Sequence, residues 1–331
     1  KHDIDVWADC AARSLVMAGA DEESIVHVCY GYGLFTGGLG MHYGAEKLGA
    51  IAVPASAGNT QRQLQLLADF GADIICCTPS YAIYLIEEME KAGLKPGRDL
   101  KLKGGCFGAE AWTEEMRAEI ERRLGIRACD IYGLSEISGP GVSGDCEYKT
   151  GMHFQDDHYF PEIVDTETLE PLPMGERGEL VITTLDRTGM PLIRYRTRDI
   201  AALDDTPCPC GRTTIRMKRI TGRSDDMLII RGVNVFPSQI ESILLKDPYV
   251  QPHYHINVDR VNNLDTLEIV VELSPDAMSD TMSEIEAIRS RLSAEMASGI
   301  SVTAKITLVS PGTIERSEGK SKRITDRRKI K

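Results

Sequence analysis

Five short apolar runs alternate with five helically spaced stretches along the first part of the chain, and this alternation limits the fold more than any other feature. The apolar runs are "SIVHVCYGYG", "IAVPAS", "DIICCTP", "LKGGCFGAE" and "ACDIYGLSE". Between and before them lie "DVWADCAARSLVMAGA", "MHYGAEKLGA", "QRQLQLLADFGA", "YAIYLIEEMEKAG" and "TEEMRAEIERRLG". Strands alternating with helices of that length predict βαβ units and a parallel sheet, an α/β architecture. Ligands of such sheets bind beyond the carboxyl ends of the strands. The site should therefore be assembled from the loops at 30–38, 54–59, 108–110 and 132–136.

At 331 residues the chain exceeds what one core usually supports. The pattern changes twice. Residues 1–160 are α/β, and 161–223 read as short strands with turn signals, a small antiparallel β subdomain. Residues 224–331 alternate strands and helices in a compact α+β C-terminal domain.

A formal net charge of −12 argues against nucleic acid as a partner, because phosphate neutralisation needs clustered Lys and Arg. The one basic cluster, "KSKRITDRRKIK", reads equally as a solvated tail or a phosphate-binding element. No apolar run is long enough to span a membrane. Nine scattered cysteines, an odd number, do not form a secreted disulfide framework and point to a reducing, cytoplasmic setting.

Several segments, in order, resemble the adenylate-forming (acyl-CoA synthetase) superfamily and within it the phenylacetate-CoA ligase family. They are "YGYGLFTGGLGMHYGAEKLG", "TPSY", "FGAEAWTEEMR", "DIYGLSEISGPGV", "GERGELVITTL", "PLIRYRTRDI", "ITGRSDDMLIIRGVNVFPSQIE" and "IERSEGKSKRI", and together they cover essentially the whole chain. The resemblance implies that ATP adenylates an aryl carboxylic acid, releasing pyrophosphate, and that coenzyme A then displaces AMP. An adenylating enzyme with another acyl acceptor, and a non-catalytic nucleotide-binding remnant, remain as alternatives. A homodimer is left open.

The same resemblance assigns roles. Asp130, Ile131, Tyr132 and Gly133 lead into the nucleotide site, with the Tyr132 ring able to stack on adenine. Ser135 would donate to the α-phosphate. Glu136 would hold Mg²⁺, which is commonly bound by one or two carboxylates plus substrate phosphates; a helix N-terminal acid is the alternative. Gly108, Ala109 and Glu110 would border adenine and the acyl pocket. Asp199 would accept both ribose hydroxyls, Arg223 would reach the nucleotide, and Lys320 would bridge the carboxylate and the α-phosphate.

Tyr30, Phe35, Met41, Gly108 and Ile131 are the expected acyl pocket, with glycines allowing close packing around a flat ring. Ordinary core is the competing account of those aromatics. Met41 stands where the family typically has a smaller residue, so the preferred acid could differ from phenylacetate. The adjacent acids Asp225 and Asp226 could be a catalytic pair, metal ligands or a turn. The resemblance makes Asp225 a hinge between half-reactions and presents the loop from Arg231 through Gly232, Val233 and Asn234 to coenzyme A.

Two features depart from the family. A TSGTTG-like phosphate loop, expected roughly a dozen residues before Lys1, is absent from the sequence; either that region has been removed or the chain is a natural fragment, and the intact downstream motifs favour removal. The segment "CPCG" supplies Cys208 and Cys210, and "DCEYKTGMH" supplies Cys146 and His153. Those four would complete a structural zinc site with no open position. Two surface thiols with an incidental Cys and His are the alternative.

Overall fold

The computed structural model describes residues 1–33, 35–224, 227–231, 233–261, 264–279, 282–317 and 320–328. The chain divides into two compact units, the first made of residues 1–111 and 117–220 together with Lys320. The second takes residues 112–116, 221–317 and those from 321 onward.

In the first unit the elements run α1 (His2–Met17), β1 (Ile25–Val28), α2 (Thr36–Leu48), β2 (Ile51–Val53), α3 (Thr60–Phe70) and β3 (Ile74–Cys77). They continue with α4 (Pro79–Lys91), β4 (Gly104–Gly108), α5 (Glu114–Leu124, of which 117–124 belong to this unit) and β5 (Arg127–Leu134). Thr78 caps α4 by accepting from the Tyr81 amide at 3.2 Å, and Pro79 occupies the first turn, where its missing N–H costs nothing. All four residues of β3 are buried, as expected of a central parallel strand covered on both faces.

Strands β2, β1, β3, β4 and β5 are neighbours in that order and all parallel. The sheet then turns antiparallel through β6 (Gly139–Asp145), β7 (Met152–Phe154), β11 (Arg216–Met217), β10 (Tyr195–Asp204), β9 (Arg177–Thr184) and β8 (Tyr159–Val164). Antiparallel pairing thus begins at β6, ahead of residue 161, and the β-rich part continues the main sheet. The cause is the short turn after β5, which reverses the chain where a helical crossover would have kept it parallel.

A second difference concerns "TGGLG". These residues were expected in a ligand loop but form the first turns of α2. A Cβ on Gly38 would lie 2.5 Å from the Gly31 carbonyl oxygen, one on Gly40 would lie 2.5 Å from the Trp7 ring, and one on Gly44 would lie 2.7 Å from the Ala11 Cβ. The glycines therefore let α2 approach α1 and its own preceding loop, and close helix packing accounts for them without a flat ligand.

The second unit contains β12 (Gly222–Arg223), β13 (Leu228–Ile230), β14 (Val233–Val235), α6 (Pro237–Leu244), β15 (Val250–Val261) and β16 (Leu264–Leu273). It ends with α7 (Met282–Ile300), β17 (Lys305–Val309) and β18 (Ile324–Asp326). The sheet order is β17–β16–β15–β18, with an antiparallel centre and parallel edges. Ile256, Val258, Leu267, Ile269 and Val271 share one core with Ile240, Leu244, Ile288, Leu292 and Met296. Val233 and Asn234, expected in a loop, lie in β14, which pairs with β13 as a hairpin. The alternation Val233-Asn234-Val235 explains this, since Val235 is buried while Asn234 faces solvent.

Candidate active site

Strand β5 brings most of the expected residues to one place. Tyr132 is buried, and its hydroxyl donates to Asp199 Oδ2 at 2.5 Å. Asp199 is buried on β10, where the register with β9 shifts between Arg196 and Ile200. Arg198, inside that bulge, has a left-handed φ of 69°. Between the Arg196 and Ile200 pairs β10 advances four residues and β9 only two, so β10 carries two extra residues, and Asp199 stands at the end of this irregular stretch.

Gly133 follows Tyr132 where no side chain fits, because a Cβ there would sit 1.7 Å from the Gly139 carbonyl oxygen. Ser135 and Glu136 occupy a 3-10 turn, Ser135–Ile137, between β5 and β6, and both are exposed. Ser135 Oγ lies 3.4 Å from Thr36 Oγ1 at the start of α2, and Arg187 donates to the Glu136 carbonyl. Gly108, in register with Ile131, would place a Cβ 2.3 Å from the Ile131 carbonyl oxygen. Ala109 has a φ of 72°, and Glu110 Oε1 accepts from the Ser80 amide at 2.7 Å, holding the first turn of α4.

Asp130 is buried one strand position before Ile131, with its amide donating to Asp145 Oδ2 at 3.2 Å. Asp145 in turn pairs with Arg117 at 2.6 Å, and both side chains are almost fully buried. Nothing in the sequence pointed to this pair, because its members stand on α5 and β6 with no local motif.

Tyr30, Met41 and Ile131 belong to one core cluster, against which Phe35 packs. Met41 is fully buried, and the Tyr30 hydroxyl donates to the Cys77 carbonyl at 2.7 Å. Tyr30 and Phe35 ring centroids are 6.1 Å apart, and Lys320 Nζ lies 5.7 Å from the Phe35 centroid. Arg223 is half-buried in β12, and Arg231 adopts a φ of 53° beside the β13–β14 turn. Asp225, Asp226 and Gly232 lie outside the described residues.

Cys146, His153, Cys208 and Cys210 converge, with their ligand atoms all within 4.8 Å of one another. Cys146 and Cys208 sulfurs are 3.7 Å apart, and Cys210 Sγ is 3.3 Å from His153 Nε2. Tetrahedral zinc–thiolate bonds of about 2.3 Å imply sulfur–sulfur edges of about 3.8 Å, so the donors fit zinc. Thr214 Oγ1, 3.0 Å from His153 Nδ1, fixes the ring with Nε2 toward the cluster. Burial pushes the Cys146 thiol up to about 11. Burial also acts upward on Cys208, but hydrogen bonds from Cys210, Thr150 and Cys146 prevail and lower it to about 7.

The parallel sheet ends in an acidic turn beside a buried carboxylate–tyrosine pair, and an α+β unit follows in sequence. The family model described as AMP-binding enzyme matches residues 7–185, and that described as AMP-binding enzyme C-terminal domain matches residues 232–328. Phenylacetate-coenzyme A ligase from Aromatoleum evansii is 51% identical over 98% of this chain and 74% of its own. The enzyme of that name from Escherichia coli strain K12 is 49% identical over 100% of this chain and 75% of its own. A 2-hydroxyisobutyryl-CoA ligase, solved in the postadenylation state, superposes with a TM-score of 0.93 at 31% identity, over 98% of this chain and 70% of that one. The chain belongs to the phenylacetate-CoA ligase family of adenylate-forming enzymes. Among the described residues no helix is long and apolar enough to cross a membrane.

Proposed function

We propose that the chain converts a phenylacetate-like aryl acid to its coenzyme A thioester, with ATP cleaved to AMP and pyrophosphate. The 51% identity to a phenylacetate-coenzyme A ligase along nearly the whole chain carries this reading. In the first half-reaction a carboxylate oxygen bonds to the α-phosphorus while the bond to pyrophosphate breaks. In the second, the coenzyme A sulfur attacks the acyl carbon and AMP leaves. An anionic nucleophile attacking an anionic phosphate needs charge neutralisation and alignment more than proton transfer.

In this reading the Tyr132 ring and the Gly108–Glu110 backbone border adenine, Asp199 takes the ribose hydroxyls, and Ser135 donates to the α-phosphate. Arg223 supports the nucleotide and Lys320 spans carboxylate and phosphate. Glu136 would hold Mg²⁺, which would spread the negative charge of the departing pyrophosphate; its exposed carboxylate in the turn after β5 suits that ligand. Tyr30, Phe35, Met41 and Ile131 form the acyl wall. Asp225 serves as the hinge, and the segment Arg231, Gly232, Val233 and Asn234 meets coenzyme A. Cys146, His153, Cys208 and Cys210 would hold a structural zinc that joins the β6–β7 connection to the loop after β10. Nine free cysteines suit a reducing cytoplasm, and a homodimer remains a proposal.

The test is pyrophosphate release by the full-length enzyme over a panel of aryl acids, with and without coenzyme A. Phenylacetate-like acids should turn over with coenzyme A required for sustained product release. Release independent of coenzyme A would mean another acceptor, and no turnover on any acid would leave only nucleotide binding.

A further inference from the structure

Strand β16 carries two buried acidic side chains that no step above uses. Glu272 is fully buried, and its Oε1 accepts from the Ile314 amide at 2.5 Å and from Arg316 Nη1 at 2.8 Å. Its Oε2 accepts from the Gly312 amide at 3.1 Å and from Arg316 Nη2 at 2.8 Å. One carboxylate thus fixes three residues of the segment between β17 and Lys320. Burial alone would raise its pKa, yet Arg316 and the two amides hold it below the ordinary range.

Asp265 does the corresponding work seven residues away, about 23 Å along an extended strand. Its Oδ2 accepts from Arg328 Nη1 at 3.0 Å, and the same nitrogen donates to the Ile229 carbonyl at 2.6 Å. Arg231 Nε donates to the Asp265 carbonyl at 2.9 Å, so β13 and the turn that follows it are tied to this residue. Arg260 Nε donates to Asp265 Oδ1 at 2.8 Å. Asp265 falls on the side of the strand that buries Leu267, Ile269 and Val271, whereas Glu272 is out of phase with them by one residue. The two anchors therefore sit on opposite faces and near opposite ends of one strand.

We propose that Glu272 and Asp265 are positioning residues for different half-reactions: Glu272 for adenylation, through the segment that leads to Lys320, and Asp265 for thioester formation, through the hairpin. The proposal rests on the roles given above to Lys320 and to the hairpin. A charged group displaced by about 1 Å can cost on the order of a hundredfold in rate, so the anchoring of each segment sets its half-reaction separately.

The experiment uses the full-length enzyme with Glu272→Gln, Asp265→Asn and Lys320→Ala. Pyrophosphate release reports the first half-reaction, and thioester formation from supplied phenylacetyl adenylate and coenzyme A reports the second. Glu272→Gln should lower kcat for pyrophosphate release about tenfold to a hundredfold and leave the second rate within about twofold. Asp265→Asn should show the reverse. Equal loss of both rates in both variants, or lowered Tm with both rates intact, overturns the proposal. If either variant fails to fold, Arg316→Lys and Arg328→Lys keep the charge, lose the forked geometry and must show the same split at smaller amplitude. Should Lys320→Ala retain pyrophosphate release, the role of Lys320 falls and the Glu272 half falls with it. Loss in Lys320→Ala with none in Glu272→Gln overturns the Glu272 anchor alone.

Discussion

Tyr132 and Asp199 are 67 residues apart in the chain, yet the tyrosine hydroxyl donates to the carboxylate at 2.5 Å. The bond fixes which way Asp199 faces. A hydrogen bond to a charged group contributes about 1.5–3 kcal/mol. Tyr132→Phe should therefore raise KM for ATP by about tenfold to a hundredfold and leave KM for the acid nearly unchanged. An unaltered KM for ATP would mean that Asp199 needs no such support.

Gly133 tolerates no side chain, since the added Cβ would overlap the Gly139 carbonyl. The obstruction is backbone, so no rotamer change relieves it. Gly133→Ala should cost at least about 3 kcal/mol in urea unfolding, at the upper end for overpacking, and should reduce adenylation. Wild-type stability in this variant would show that β5 and β6 can separate freely.

Met41 is fully buried beside Tyr30 and Ile131. Met41→Ala should cost about 2–4 kcal/mol through the cavity it opens. The same cavity should shift kcat/KM toward aryl acids with a larger ring. Unchanged preference, measured with phenylacetate against a naphthyl analogue, would place the ring elsewhere.

Zinc uptake supplies a pH test. Cys208 is held at about 7, below its ordinary value, so its thiolate persists in the folded chain above that pH and is lost as pH falls through it. The stability that this thiolate gives the metal-free protein is therefore complete above the ordinary thiol range near 9 and fades toward 7. Cys146, at about 11, must also lose its proton on binding. Zinc affinity of the chelator-treated protein should fall with more than one proton per metal below neutral pH. Elemental analysis should find one zinc per chain and none in Cys208→Ser; no metal in the unmodified protein ends the assignment.

How far the sequence reached depended on where each signal resides. The parallel strands were legible because each is a short apolar run bounded by turn residues, and β3 is buried along its whole length. The start of α2 was not, because Thr36 to Gly40 contains three glycines, and glycine disfavours helix by about 1 kcal/mol each. Contacts with Trp7 and with the Gly31 carbonyl decide that helix, and these are tertiary. Cys146, His153, Cys208 and Cys210 converge as their residue types suggested, although the spacing was loose. Asp265, Glu272 and the Arg117–Asp145 pair left no trace, since a lone acid in a strand looks solvated until its partner folds against it.

The turn between β5 and β6 spans four residues, 135–138, whereas Asp199 joins Tyr132 only after a far longer excursion of chain. Closure entropy grows with the length of chain enclosed, and a hairpin forms within about 1–10 μs. We expect the two sides of the proposed nucleotide site to mature at different moments in folding. The turn bearing Ser135 and Glu136 should be native-like in the transition state, and the strand bearing Asp199 should consolidate afterwards. In stopped-flow experiments, substitutions in β5 and β6 should then slow refolding, while substitutions in β10 should chiefly hasten unfolding. The opposite distribution would show that the β10 bulge organises the turn. In the expected order, a newly made chain acquires the edge proposed to face phosphate before the strand proposed to hold the ribose, so nucleotide would be captured only once the sheet is complete.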